Sequence, residues 1–127
     1  MNSEKINFFV NLYKNEETFI PLYGVRTNMN DFTDECKYFI INSVIVDKII
    51  LNSIIPLQEP ADIGLQVGTC SSNGDIEILG DFSATLSTNV IEFSLQVFVE
   101  QYKSLIIKVI NYGNKNLKVN GSLILVS

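Results

Sequence analysis

Asp75 and Glu77 stand two residues apart beside a cluster of turn-forming residues, and Asp81 follows closely. Residues two apart on a strand share a face, so the first two carboxylates would point the same way. Such a pair can act as the acid and base of glycoside hydrolysis or offer oxygen ligands to calcium. The surrounding sequence supports neither chemistry, because the loop lacks the spacing of an EF-hand and carries no further positioning groups. Charges that keep an exposed strand edge from pairing with another sheet account for these acids.

Nucleophilic chemistry meets a similar obstacle. Cys36 and Cys70 are the two thiols, and the chain contains no His, the side chain that most often serves as base, proton shuttle or metal ligand. Both cysteines read as buried structural thiols, with no metal-motif spacing and no disulfide expected in a reducing compartment. Gly64 and Gly68 flank a strand instead of opening a helix, which fits close packing and not a phosphate cradle. No catalytic, cofactor-binding or metal-ligating residue is assigned, no cofactor is expected, and the chain does not read as an enzyme.

Charge separates along the chain. All fourteen acidic residues precede Gln101, whereas Lys103, Lys108, Lys115 and Lys118 follow it without an acid among them, within a net charge of −5. A basic pair of C-terminal strands meeting an acidic neighbour would steer assembly. Pairing within the domain, or plain solvation, is the simpler account. The acidic total and the lack of an Arg cluster argue against nucleic acid as a partner.

The elements that would position these groups are strands. Of 127 residues, 46% are hydrophobic and 18% charged, and the apolar set is Ile, Val, Leu and Phe with little Ala, a composition suited to half-buried pleated surfaces. Residues 90–100 alternate strictly, with Ile91, Phe93, Leu95, Val97 and Val99 on one face. Residues 104–110 are apolar on both faces and suit a central strand or one covered by a neighbouring subunit. A turn at 112–116 precedes a second alternating run, Leu117, Val119, Gly121, Leu123 and Leu125.

Residues 63–67 form a shorter strand that ends at Gly68-Thr69, and 70–75 read as a polar turn. Ile76 and Ile78 start a strand that Phe82, Ala84 and Leu86 continue. Residues 38–55 hold two strands with a break near Asp47-Lys48 or Asn52-Ser53, and 30–36 suit a single helical turn capped by Asn30 or Asp31. Ile6, Phe8, Val10 and Leu12 fit a strand face while Ile6, Phe9, Val10 and Tyr13 fit a helix face, so an extended arm or edge strand is expected there from context. The fold expected is all-β, an antiparallel β-sandwich that is jelly-roll-like or Ig-like, with residues 1–35 as an N-terminal arm or edge segment and 36–127 as the sandwich. The longest apolar stretch, 38–56, is broken by Asn42, Asp47, Lys48 and Asn52, so no membrane span and no membrane partner are expected. No secretory signal is visible at the N-terminus.

The run Ile63-Gly64-Leu65-Gln66-Val67-Gly68-Thr69, followed by Asn73-Gly74-Asp75, Leu79-Gly80-Asp81-Phe82 and a final hairpin ending Gly121-Ser122-Leu123-Ile124-Leu125, resembles small β-sandwich domains of tailed-phage virion proteins. The resemblance covers the chain from Ile63 onward and rests on strand-and-turn grammar. It implies a non-enzymatic bacteriophage virion structural protein, of the capsid auxiliary, decoration, head-fibre or tail-associated type, made in the host cytoplasm and located in the virion. It also implies a homo-oligomer such as a trimer that contacts other virion proteins, the major capsid or tail proteins among them. The alternative is a carbohydrate- or receptor-binding module of a tail fibre, for which Tyr13, Tyr23, Tyr38, Tyr102 and Tyr112 are the aromatic candidates in the absence of Trp.

Overall fold

The computed structural model describes residues 2–22 and 36–127, and alternation of apolar and polar side chains lays nine strands along these described residues. They are β1 (Ser3–Leu12), β2 (Glu17–Phe19), β3 (Tyr38–Phe39), β4 (Val44–Ser53), β5 (Ala61–Cys70), β6 (Ile76–Leu86), β7 (Val90–Val99), β8 (Ser104–Asn111) and β9 (Leu117–Val126). Of the helical turn expected over 30–36, all but Cys36 lies outside the described residues, as does Tyr23.

Every pairing is antiparallel, and the pairs are nested. β1 pairs with β9, β2 and β3 with β8, β4 with β7, and β5 with β6. Folding such a nested hairpin over on itself yields two sheets, in the orders β1-β9-β4-β7 and β2-β8-β5-β6, with β3 sharing the β8 edge that β2 occupies. That wrapping is a jelly roll, which decides between the two sandwich types expected from the sequence.

The core lies between the sheets. Val10, Val46, Ile49, Leu65, Val67, Val99, Val109, Val119 and Leu123 are wholly buried there. β8 is apolar on both faces because it is central, flanked by β5 on one side and by β2 and β3 on the other.

Two expectations change. The break within 38–55 falls at residues 40–43, and Asp47 is instead a bulge inside β4, where the register against both β7 and β9 shifts. The C-terminal strands do not form a hairpin, because β8 belongs to one sheet and β9 to the other, so the 112–116 turn crosses the sandwich. Of the extended arm and the edge strand that the sequence left open at the N-terminus, β1 is an edge strand, the first of the order β1-β9-β4-β7. β1 pairs with β9 along its full length and buries Ile6, Phe8, Val10 and Leu12 in the common core. At about 2 kcal/mol per buried side chain, their removal would cost roughly as much as a domain's whole net stability.

The two ends of the chain meet in this pairing, since Asn2 N donates to Ser127 O at 3.1 Å and Ser127 N donates to Asn2 O at 2.9 Å.

Candidate interaction surface

The connections fall at opposite ends of the sandwich. At one end run 13–16, 54–60, 87–89 and 112–116, and Asn111 holds the crossing there. Its side chain is fully buried and fully used: Nδ2 donates to Leu12 O at 3.1 Å and Lys115 O at 2.9 Å, while Oδ1 accepts from Gly113 N at 2.9 Å. Its backbone accepts from Asn15 N at 2.7 Å and donates to Glu16 O at 3.2 Å. One residue thereby ties two of the four sheet-to-sheet crossings at this end together, 13–16 and 112–116. Asn89 plays a smaller part, its Oδ1 accepting from Leu57 N at 3.2 Å.

The other end, which includes 40–43, 71–75 and 100–103, exposes large apolar side chains among polar turns. Of the twelve exposed large hydrophobic side chains among the described residues, eight lie toward it: Phe39, Ile41, Ile45, Ile76, Ile78, Leu79, Phe98 and Tyr102. Phe98 and Ile45 face each other across β7 and β4, and Ile45 in turn faces Val126. Leu79 shares a small pocket with Phe98 at the seam where the edge strands β6 and β7 approach. Around the corner, Phe39 and Tyr102 stack with ring centroids 6.4 Å apart and planes at 28°.

Leu79 reaches this surface through a second bulge. Gly68 faces Ile78 and Val67 faces Gly80, which leaves Leu79 unmatched and reverses the side-chain phase of β6. Ile76 and Ile78 are therefore exposed, although Phe82, Ala84 and Leu86, at the same parity, turn toward the core. The same bulge separates the acids. Glu77 and Asp81, which an unbroken strand would set on one face, fall on opposite faces, and Asp75 belongs to the turn before β6. There its backbone N–H donates to Ser71 Oγ at 3.1 Å and its carboxylate accepts from Asn73 Nδ2 at 3.4 Å. Among the described residues no cluster of three or more His, Cys, Asp or Glu could hold a metal ion.

The remaining sequence candidates scatter. Cys36 and Cys70 are buried and unbridged. Gly64 and Gly68 lie within β5, where an added Cβ would come 3.0 Å from the Tyr112 ring and 2.5 Å from the Glu77 carbonyl oxygen respectively. Lys108 bonds to Glu17 at 3.3 Å within the domain. Lys103 is at the apolar end, whereas Lys115 and Lys118 line a cleft at the crossing end, so the four lysines form no single basic strand pair. Tyr13 is half-buried, the Tyr38 hydroxyl donates to the Glu4 carboxylate, and Tyr112 covers Gly64, leaving Tyr102 as the tyrosine that stacks in the open.

Sequence reasoning missed Asn111, Phe39, Leu79 and Phe98. Phe98 was the detectable one, being the single aromatic residue on the polar face of the 90–100 alternation.

No protein-family model and no curated protein matches the chain. Among solved structures it is similar to the structure of the infectious bursal disease virus Gx strain, at a TM-score of 0.50 and 10% identity over 99% of this chain. It is also similar to the infectious bursal disease virus VP2 subviral particle, at a TM-score of 0.48 and 8% identity over 98% of this chain. The chain spans 32% of the length of each of those polypeptides, and the likeness is one of fold.

Proposed function

We propose that this jelly roll is a non-enzymatic structural component of a virus particle that acts by assembly. The observation that carries the reading is the gathering of exposed apolar side chains at one end of the sandwich, with Ile45, Leu79 and Phe98 along the β6–β7 seam. Scattered surface hydrophobics are ordinary, whereas a contiguous set marks an interaction site. Jelly rolls serve repeatedly as capsid domains, and the fold likeness to a viral structure agrees with that use.

The finer reading is a capsid auxiliary, decoration or head-fibre protein of a tailed phage. It would associate with copies of itself, as in a trimer, and with the major capsid or tail proteins, after synthesis in the host cytoplasm. The seam supplies the apolar centre of such an interface, and the polar strand positions around it supply the rim.

Immunogold electron microscopy of particles from a lysate of the source tests the proposal. Gold on heads or tails is expected and locates the protein. Unlabelled particles beside free soluble antigen would refute a virion role.

A further inference from the structure

Two Asn-Gly dipeptides occur in the chain, Asn73-Gly74 in the turn before β6 and Asn120-Gly121 within β9. An Asn followed by Gly can close on itself, because no Cβ hinders the approach of the Gly amide nitrogen to the Asn side-chain carbonyl carbon. The N–Cγ bond forms, the Cγ–Nδ2 bond breaks, and ammonia leaves with the proton that the amide gives up. Water then opens the five-membered ring at one carbonyl or the other, to aspartate or to isoaspartate. Closing the ring requires the backbone between the two residues to rotate, so the reaction is governed by how firmly that backbone is held.

Both Asn side chains are exposed, and solvent access does not separate the pairs. The backbone does. β9 lies between β1 and β4, where Asn120 pairs with Phe9 and Asn52, and Gly121 with Phe8 and Leu51. A Cβ added at Gly121 would run into the Ile50 carbonyl oxygen. Rotation there parts two ladders at once. The 71–75 turn is held more lightly, by Gly74 N donating to Ser71 O at 3.0 Å and Ser71 N donating to Asp75 O at 2.8 Å. Exposed turn bonds open locally, whereas the ladder bonds of an interior strand open with the domain. Gly74 holds a φ of 89°, and no heavy atom outside its chain neighbours lies within 4 Å of where a Cβ would stand. Ser71 Oγ donates to Asn73 Oδ1 at 3.2 Å, the oxygen on which the attack places negative charge.

We propose that Asn73 is a site of spontaneous deamidation in the folded chain, while Asn120 is kept inert by its strand. The conversion changes what the turn offers. Asn73 Nδ2 now donates to the Asp75 carboxylate at 3.4 Å, and the product sets a second carboxylate there in place of the donor. The new charge enters the groove that Asn73 lines together with Phe39 and Tyr102. Because ammonia is lost, the step does not reverse, and the charge at this end grows with the age of the molecule. The chemistry needs the turn alone and stands apart from the virion role.

The full chain would be held in mildly alkaline buffer, once native and once in urea, and followed by peptide mapping in a mass spectrometer. In the native chain a gain of one mass unit, with isoaspartate among the products, is expected at Asn73 at least about a hundredfold faster than at Asn120. In urea the two sites should convert at similar rates, and the native rate at Asn73 should rise with pH, since the attacking amide must lose its proton. Asn73→Ser should suppress the acidic form that isoelectric focusing resolves in the parent. An intact Asn73 in the native chain, over the time in which both sites convert in urea, overturns the proposal. Equal native rates at the two sites, or undiminished acidic forms in Asn73→Ser, overturn it as well.

Discussion

At the crossing end of the sandwich, a polar side chain is buried and spent on backbone; at the opposite end, large apolar side chains are exposed. Asn111 makes three side-chain hydrogen bonds in a fully buried setting, and Asn89 braces the 54–60 loop. Phe39, Phe98 and Tyr102, all more than half exposed, make no comparable contribution to folding. The difference teaches where fold and function are divided. A jelly roll must carry its chain between sheets at both ends, and among the described residues the two ends do so differently: Asn111 locks one from within the core, while the other exposes large apolar side chains.

Substitutions at the two ends should therefore separate stability from association. Asn111→Ala leaves Leu12 O, Lys115 O and Gly113 N without their partner. We expect a loss of about 3 kcal/mol and a melting temperature lower by roughly 10 °C in scanning calorimetry. A loss below about 1 kcal/mol would mean that the two ends are not locked differently. Asn89→Ala removes one brace on a loop and should cost about 1 kcal/mol in urea unfolding, with an unchanged denaturant slope.

The smallest effect on stability is expected at the seam. Phe98→Ser should change the unfolding free energy of the isolated domain by no more than about 0.5 kcal/mol. Sedimentation should nevertheless show the variant less associated than the parent. Strong destabilisation by this substitution would erase the contrast between the ends.

Much of this fold was legible in residue patterns, and the reason lies in what patterns report. Alternation tells which face of a strand is buried, so β7 and β9 fall where 90–100 and 117–125 place them. It does not tell which sheet a strand joins. Two strand-forming runs separated by a five-residue turn look the same whether they pair or part, and β8 and β9 part where Asn111 holds the backbone as it crosses the sandwich. Bulges hide a second way. Leu79 inverts the phase of β6 without any mark in composition, so the exposed Ile76 and Ile78 look like core residues in the sequence.

The candidate surface was legible only in fragments, because its members come from six separate strands and turns that the nested pairing brings to one end. The tyrosine set contained Tyr102, but its partner Phe39 stands far away in sequence and carried no signal of its own. Asn111 looked like one turn-forming Asn among many. Its weight comes from burial, which residue type alone does not disclose.

The mutual hydrogen bonds between Asn2 and Ser127 have a practical corollary for handling the molecule. Any polypeptide appended at either position emerges at the same corner, at the apolar end, where a purification tag would crowd the very region under study. The same proximity makes the protein a candidate for circular permutation, since a few linking residues would join positions that already touch. Opening the chain instead at 87–89, on the crossing end, would carry both new termini to the far side and leave the rings and the seam unobstructed.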